Sequence, residues 1–304
     1  MVFFLESLQN KRSRNEDSYC HMDLRLNHEA TVSAFVVADG MGGLNAGNLY
    51  SRTAVDLWYE ELLRLIMGET FQGCPLKSQI DALKDFSVKV YHKLNKILYQ
   101  KGMDAGLRGG TTLTTAIHFW DTWILTNLGD SPIYYMKEGS LKMASEIQNV
   151  AWQLVRSGQT QPGATLFLQN KNRLLQYLGR REEVSPHCVC LPDREIRMLL
   201  LGSDGAFGNL SEKKLEEILR QYEGSSQALS MILQAARDDG ETDNQTAILI
   251  DCPEAEAQDS VREVKSLSAL KEEAGIYRTL QEDEKVDNIV DRLKKLLMQG
   301  GHKK

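Results

Sequence analysis

Apolar and polar positions change their spacing several times along this chain, and each change predicts an element. Residues 32–38, Val-Ser-Ala-Phe-Val-Val-Ala, are apolar but for Ser33, the pattern of a buried strand. From Ala46 to Met67 the spacing turns helical, with Ala54, Trp58, Leu62, Leu65 and Ile66 on one stripe. Gly68, Gly73 and Pro75 mark a loop. A second long helix follows, with Ile80, Leu83, Val90, Leu94 and Ile97 facing inward and a stop at Gly102. Thr111 to Phe119, Trp123 to Leu128 and Ile133 to Met136 read as short strands, with hairpin turns at Asp121-Thr122 and Glu138-Gly139.

Residues 145–192 are less regular, with one helix at Val150 to Arg156, and read as a flap-like insertion over a surface. A strand at Ile196 to Leu201, helices at about Glu212 to Tyr222 and Gln227 to Arg237, and a closing strand to Ile250 complete the pattern. Long helices beside groups of antiparallel strands predict a layered α+β domain. From Pro253 onward Ala, Glu, Gln, Lys and Asp dominate. Residues 253–304 are expected to be a charged helical C-terminal extension to a domain of residues 1–252. Their two stripes, Leu267 to Tyr277 and Val286 to Leu297, would pack on their own domain or bind a partner.

A net charge of −6 argues against nucleic acid as a partner, because phosphate backbones demand a basic face. The five cysteines are odd in number and lack a CxxC pair, which disfavours a disulfide framework or a zinc ribbon. Cys188-Val189-Cys190 alternates as strand residues do and reads as two half-buried thiols. Met1 to Leu5 is too short an apolar run for a signal peptide, and no run approaches the ~20 residues of a membrane helix. A cytoplasmic protein without membrane partners is the expectation.

The chemistry is expected where apolar runs end in acid groups. Ala38 precedes Asp39-Gly40-Met41-Gly42-Gly43, Leu128 precedes Gly129-Asp130-Ser131, Leu201 precedes Gly202-Ser203-Asp204-Gly205, and Asp243-Asn244 stands just before the last strand. One Asp-Gly is only a turn signal. Several aspartates at the ends of packed strands repel one another unless a cation lies between them. All-oxygen donors suit magnesium or manganese. Asp39 is the best candidate to bridge two ions, the Gly40 carbonyl can add a ligand, and Asp204 and Asp243 would complete one ion from the opposite sheet. Arg12 could clamp a phosphate with its planar fork while Glu16 orients water. Neither Gly109-Gly110-Thr111-Thr112 nor Asp39 to Gly43 has the spacing or lysine of a phosphate loop, so both are expected to be tight turns.

Arg12-Ser13-Arg14-Asn15-Glu16-Asp17, Val37 to Gly43, Gly110-Thr111-Thr112, Asn127 to Ser131, Gly202 to Gly205 and Asp243 to Thr246 resemble, in order, the motifs of the metal-dependent protein phosphatases of type 2C. The resemblance covers about residues 1–251, and the Asp-Gly-Met-Gly-Gly form is similar to the bacterial branch. It implies a four-layer αββα sandwich, two antiparallel sheets packed face to face and flanked by helix pairs. It implies manganese or magnesium, two ions with a possible third. Asp39 would bridge the pair, Gly40 would join one ion, Asp204 and Asp243 would bind the other, and Glu16 would act through water. Asp130 would hold the third ion, Asp17 would support the set, and Arg12 would bind substrate phosphate.

The implied reaction is hydrolysis of phosphoserine or phosphothreonine in a phosphoprotein by attack of a metal-bridging hydroxide, in the service of a serine/threonine kinase or its targets. Three departures stand out. Met41 replaces the histidine of animal members, Pro132 follows Gly129-Asp130-Ser131 where the family carries arginine, and Ser145 to Asn149 replaces an Asp-His-Ser stretch. The alternative from another class is a pseudophosphatase scaffold that binds a partner through the flap or the C-terminal helices.

Overall fold

The computed structural model describes residues 1–26, 30–43 and 46–252. The helices expected within 253–304 lie outside the described residues. In chain order come β1 (Val2–Leu8), β2 (Asp17–Arg25), β3 (Thr31–Gly42), α1 (Ala46–Ile66), α2 (Glu69–Gln72), α3 (Leu76–Ala105), β4 (Gly109–Thr111), β5 (Leu113–Phe119) and β6 (Thr122–Leu128). Then follow β7 (Ile133–Lys137), β8 (Ser140–Met143), α4 (Val150–Arg156), α5 (Thr165–Leu168), β9 (His187–Pro192), β10 (Met198–Gly202), α6 (Asp204–Phe207), α7 (Glu212–Gln221), α8 (Ser226–Asp238) and β11 (Gln245–Asp251).

The strands pair antiparallel in two sheets, ordered β1-β11-β10-β7-β8 and β2-β3-β5-β6-β9, with β4 attached to β3. Period two explains the unbroken apolar runs, because each central strand faces two cores. Phe35 and Val37 of β3 point to the core between the sheets, where they meet Leu199, Leu201, Ile248 and Ile250. Ala34, Val36 and Ala38 point the other way, onto Trp58, Leu62, Tyr91 and Leu94 of α1 and α3. Leu200 and Leu249 face Leu215, Leu229 and Leu233 of α7 and α8. Three apolar cores therefore separate four layers, the α+β sandwich expected from the sequence.

Several local expectations need correction. The two glycine clusters are not tight turns: Gly40, Met41 and Gly42 pair with Thr111, Gly110 and Gly109 as a short ribbon that prolongs β3. A Cβ on Gly109 would stand 2.7 Å from the Met41 carbonyl, so side chains there would force the two backbones apart. The flap is shorter than 145–192, because His187–Pro192 is an edge strand paired with β6. What leaves the sheets is the segment 144–186, tied down by Gln148 N to Gly129 O, Gly129 N to Gln148 Oε1 and Leu178 N to Thr111 O. α3 runs past Gly102 to Ala105, and Gly106 ends it in the left-handed conformation. The β5–β6 turn falls one residue early, since Thr122 already belongs to β6. Cys188 is half-buried as expected, whereas Cys190 is exposed on the sheet edge.

Candidate metal and phosphate site

Loops and strand ends from both sheets meet at one rim of the sandwich around a basin of about 420 Å³. Asp39 reaches it from β3, Asp130 from the turn after β6, Asp204 from the start of α6 after β10, and Asp243 from the loop before β11. Arg12, Glu16 and the Gly40 backbone share the same walls. Asp17 does not reach the wall. It lies beneath, register partner of Asp39 across β2 and β3, and its carboxylate accepts a hydrogen bond from Ser203 Oγ at 2.8 Å.

Backbone bonds hold this rim in place. Asp39 N donates to Thr112 Oγ1 at 2.9 Å, while Asp39 O accepts from Thr111 Oγ1 at 2.8 Å and from Thr112 N at 2.9 Å. Asn244 staples the segment ahead of β2: its Oδ1 accepts from Glu16 N at 2.9 Å, and its Nδ2 donates to the carbonyls of Gln9 and Arg14. Asn149 Nδ2 donates to Asp130 Oδ2 at 3.4 Å, a long bond that brings the flap to the basin. Lys171 of the flap donates from Nζ to Asn209 Oδ1 at 3.0 Å beside a neighbouring hollow of about 250 Å³.

Two residues absent from the sequence expectations shape the site. Gly47, in the first turn of α1, faces the Gly40 carbonyl and the Glu16 carboxylate. A Cβ there would stand 2.8 Å from both Gly40 O and Glu16 Oε2. A Cβ on Gly40 would in turn stand 2.2 Å from Gly47 O. Glycine at the start of a helix, where it costs stability relative to alanine, was the available signal. Ser203, the second, gave none, because a serine before Asp-Gly is also an ordinary helix cap.

The electrostatics call for positive charge. Burial, then the neighbouring Asp17, Asp204, Asp130 and Asp243, holds the Asp39 carboxyl well above the usual carboxylate range. Burial pushes Asp17 up to about 7 and Asp130 up to about 8, with Asp204 adding to both. Asp204 is raised by burial and then by Asp243. Arg12 Nη2 lies 2.5 Å from Asp243 Oδ2, and that bond raises the guanidinium pKa further. Among the described residues no three acid, histidine or cysteine side chains already converge at chelating distance. The donors fit a hard divalent cation: every one is oxygen, one is a backbone carbonyl, and Gly47 leaves that carbonyl and Glu16 uncovered.

These shifts give a signed expectation. A free aspartate titrates near 3.9, so the folded protein binds more protons than the unfolded chain as pH rises from about 4 towards 8. Stability without metal should therefore fall over that interval. Asp17, Asp39, Asp130 and Asp204 share the effect, burial being the largest cause at each. Thermal melts in chelator should drop by several degrees, roughly 3–8 °C, between pH 5.5 and 8.5, and manganese should restore most of the loss at the higher pH. A melt that rises with pH in chelator would contradict this account.

The profile described as Protein phosphatase 2C matches residues 7–249. A serine/threonine phosphatase stp of Listeria monocytogenes is 30% identical over 223 residues, covering 71% of this chain and 83% of that protein. Protein phosphatase PhpP of Streptococcus pneumoniae is 26% identical over 261 residues, 84% of this chain and 99% of its own length. A crystal structure of a bacterial serine phosphatase superposes with a TM-score of 0.70 at 24% identity, over 84% of this chain and 98% of that one. A PstP catalytic domain solved with 2 manganese ions gives a TM-score of 0.62 at 24% identity, over 83% and 98%.

Proposed function

This chain belongs to the protein phosphatase 2C family, and from that membership we propose how its basin hydrolyses phosphoserine and phosphothreonine in proteins. It is a metal-dependent protein phosphatase of the serine/threonine class. One observation carries the assignment of residues: Asp39, Asp130, Asp204, Asp243, Glu16 and the Gly40 backbone surround a single basin with Arg12 at its lip. We assign two divalent ions to it, manganese or magnesium, with a third beside Asp130. Asp39 would bridge the pair, the Gly40 carbonyl would join one ion, Asp204 and Asp243 would hold the other, and Glu16 would act through water.

When bound, such a pair supplies water acidic enough to attack at neutral pH and shields the charge of the phosphoryl group. The rest falls to the chain. Arg12 lines the basin, and its fork would match two phosphoryl oxygens with Asp243 serving as an ion ligand. Asp17 supports Asp39 from beneath, held by Ser203. The new bond joins water oxygen to phosphorus and the serine or threonine oxygen leaves. Met41 at the basin wall has no proton to give, so that oxygen takes its proton from solvent.

Manganese-dependent release of phosphate from a phosphothreonine peptide, absent in chelator, is the expected result. A well-folded, metal-loaded protein with no turnover would instead favour the scaffold alternative. Arg12→Ala should raise KM for the peptide about tenfold or more, the worth of a charged bidentate contact, and leave metal stoichiometry unchanged. Loss of metal in that variant would show that Arg12 shapes the ion site instead.

The substrates we propose are phosphoproteins modified by a serine/threonine kinase, or that kinase itself. Incubating phosphorylated kinase with the protein and following its phosphate tests this. A cytoplasmic location fits five free cysteines, since that compartment keeps thiols reduced, and cell fractionation checks it. No helix among the described residues is long and apolar enough to cross a membrane. We assign the phosphatase domain to residues 1–252. A chain cut after Cys252 should fold and retain turnover, because β11 already closes the five-stranded sheet between β1 and β10. An insoluble product would place part of the core beyond Cys252.

A further inference from the structure

The polar hollow of about 250 Å³ beside the basin has a far side that takes no part in the chemistry assigned above. Arg12, Asn172, Asp204 and Asp243 line both spaces, so a group in one stands next to a group in the other. The far side is built from Lys171 of the flap, Asn209 after α6, and Glu241 and Thr242 before β11.

Lys171 stands on backbone that is held in place. Asn149 Nδ2 donates to the Lys171 carbonyl at 2.8 Å, and Val150 N donates to the Arg173 carbonyl at 2.9 Å, so the start of α4 fixes this stretch. The ammonium meets a neutral partner, Asn209 Oδ1 at 3.0 Å, and pairs with no carboxylate among the described residues. An ammonium can only donate, so Asn209 must offer it the oxygen and turn its NH2 elsewhere. That NH2, the Asn172 amide and the Thr242 hydroxyl donate to no acceptor among the described residues. Glu241, the acid on this side, is already engaged: its Oε1 accepts from Thr242 N at 2.8 Å and from Asp243 N at 2.9 Å.

We propose that this hollow is a subsite for a second anionic group of the substrate, carried by a residue close to the scissile phosphoserine or phosphothreonine, with Lys171 as its counter-ion. The inference rests on the phosphatase reading of the basin. Donors and charge both favour an anion over a cation. Lys171 supplies an unpaired positive charge, and three further polar side chains have hydrogens to give. Asp204 and Asp243 are committed to ions, which leaves Arg12 and Lys171 against Glu241. The net charge of −6 gives no long-range pull on an acidic substrate, so the selection acts at contact range. The shared wall keeps the second group within a few residues of the scissile one, because extended chain advances only ~3.3 Å per residue.

A carboxylate and a second phosphoryl group share the required chemistry. A charge-assisted hydrogen bond gives about tenfold, and partial exposure reduces it, so a gain of about three- to tenfold in kcat/KM is expected. It should shrink as salt is added.

The test compares phosphothreonine peptides of one sequence on the manganese-loaded full chain. Alanine, glutamate, lysine or a non-hydrolysable phosphonate analogue of phosphoserine is placed one to three positions to either side of the phosphothreonine. At one or more positions the anionic peptides should exceed the alanine peptide by the stated factor. A larger gain for the phosphonate would make a second phosphoryl group the preferred occupant, and equal gains would make the subsite one for acidic residues generally. Lys171→Met should bring the ratio of anionic to alanine peptide close to one, and Lys171→Glu should turn the preference towards lysine. Each ratio is taken within one variant, so partial misfolding cannot imitate the change. Fluorescence anisotropy with a labelled peptide carrying two phosphonates reads the hollow without turnover, and its Kd should rise about three- to tenfold in Lys171→Met. Equal turnover of all peptides, a preference for lysine in the unaltered chain, or an anionic gain that survives Lys171→Met would overturn the subsite and leave the basin reading standing. Lys171-dependent binding without hydrolysis of any peptide would uphold the subsite and sink the reading of the basin.

Discussion

Asp39→Asn should reduce manganese-dependent turnover by about a thousandfold or more while leaving the fold intact. The expectation rests on two separate features. The backbone of residue 39 is fixed by Thr111 and Thr112, and the amide is nearly the size of the carboxylate, so position and packing survive. The charge does not survive. Removing a bridging oxygen ligand forfeits several kcal/mol of cation-derived stabilisation of the transition state, and each ~1.4 kcal/mol is tenfold in rate. In chelator the sign reverses. Asp39 is the group most burdened by its acidic neighbours, so its neutral replacement should melt at a higher temperature than the unaltered chain without metal. Hydrolysis of para-nitrophenyl phosphate and paired melts read both effects. Turnover within tenfold of the original would remove Asp39 from the mechanism, and a lower melt in chelator would mean that its charge is already neutralised in the fold.

Gly47→Ala should weaken ion binding without altering a single charged residue. Helix propensity alone favours alanine over glycine by about 1 kcal/mol in a helix interior. The new Cβ, however, would stand 2.8 Å from the Gly40 carbonyl oxygen and 2.8 Å from the Glu16 carboxylate. Glu16 can swing away, but the Gly40 carbonyl belongs to the β3–β4 ribbon and cannot move alone. The pair of oxygens assigned to the cation is thus pushed apart. The half-saturating manganese concentration should rise about tenfold or more, equivalent to ~1.4 kcal/mol, and melting in chelator should fall, because a sub-3 Å contact with fixed backbone outweighs the gain in helix propensity. Titrating turnover against manganese measures the first quantity. An unchanged titration would show that Gly40 and Glu16 do not share an ion.

Much of the architecture was legible because its signals are local. Helical spacing located α1, α3, α7 and α8, and apolar runs located β3, β5, β6 and β10, since burial on one or two faces leaves a periodic trace in the chain itself. β2 left no such trace. Asp17, Cys20, His21, Asp23 and Arg25 interrupt its alternation, and the strand exists because β3 offers it a register of nine residue pairs. The glycine clusters misled for a related reason: each alone resembles a turn, and only pairing with the other makes a ribbon. β9 was absorbed into the flap although Cys188-Val189-Cys190 alternates as strand residues do, because only its pairing with β6 marks where the flap ends.

By itself the sequence determined the kinds of element, the acid groups at strand ends, and the all-oxygen chemistry those groups can perform. Composition and short-range periodicity encode all three. Tertiary structure alone decided which groups meet. Arg12 rests on Asp243 across 231 positions of chain, Asp17 lies behind Asp39 rather than beside it, and Gly47 guards the carbonyl of Gly40. Such meetings depend on sheet register and on the packing of one layer against another, and a change of one residue in register turns every side chain of a strand to its opposite face.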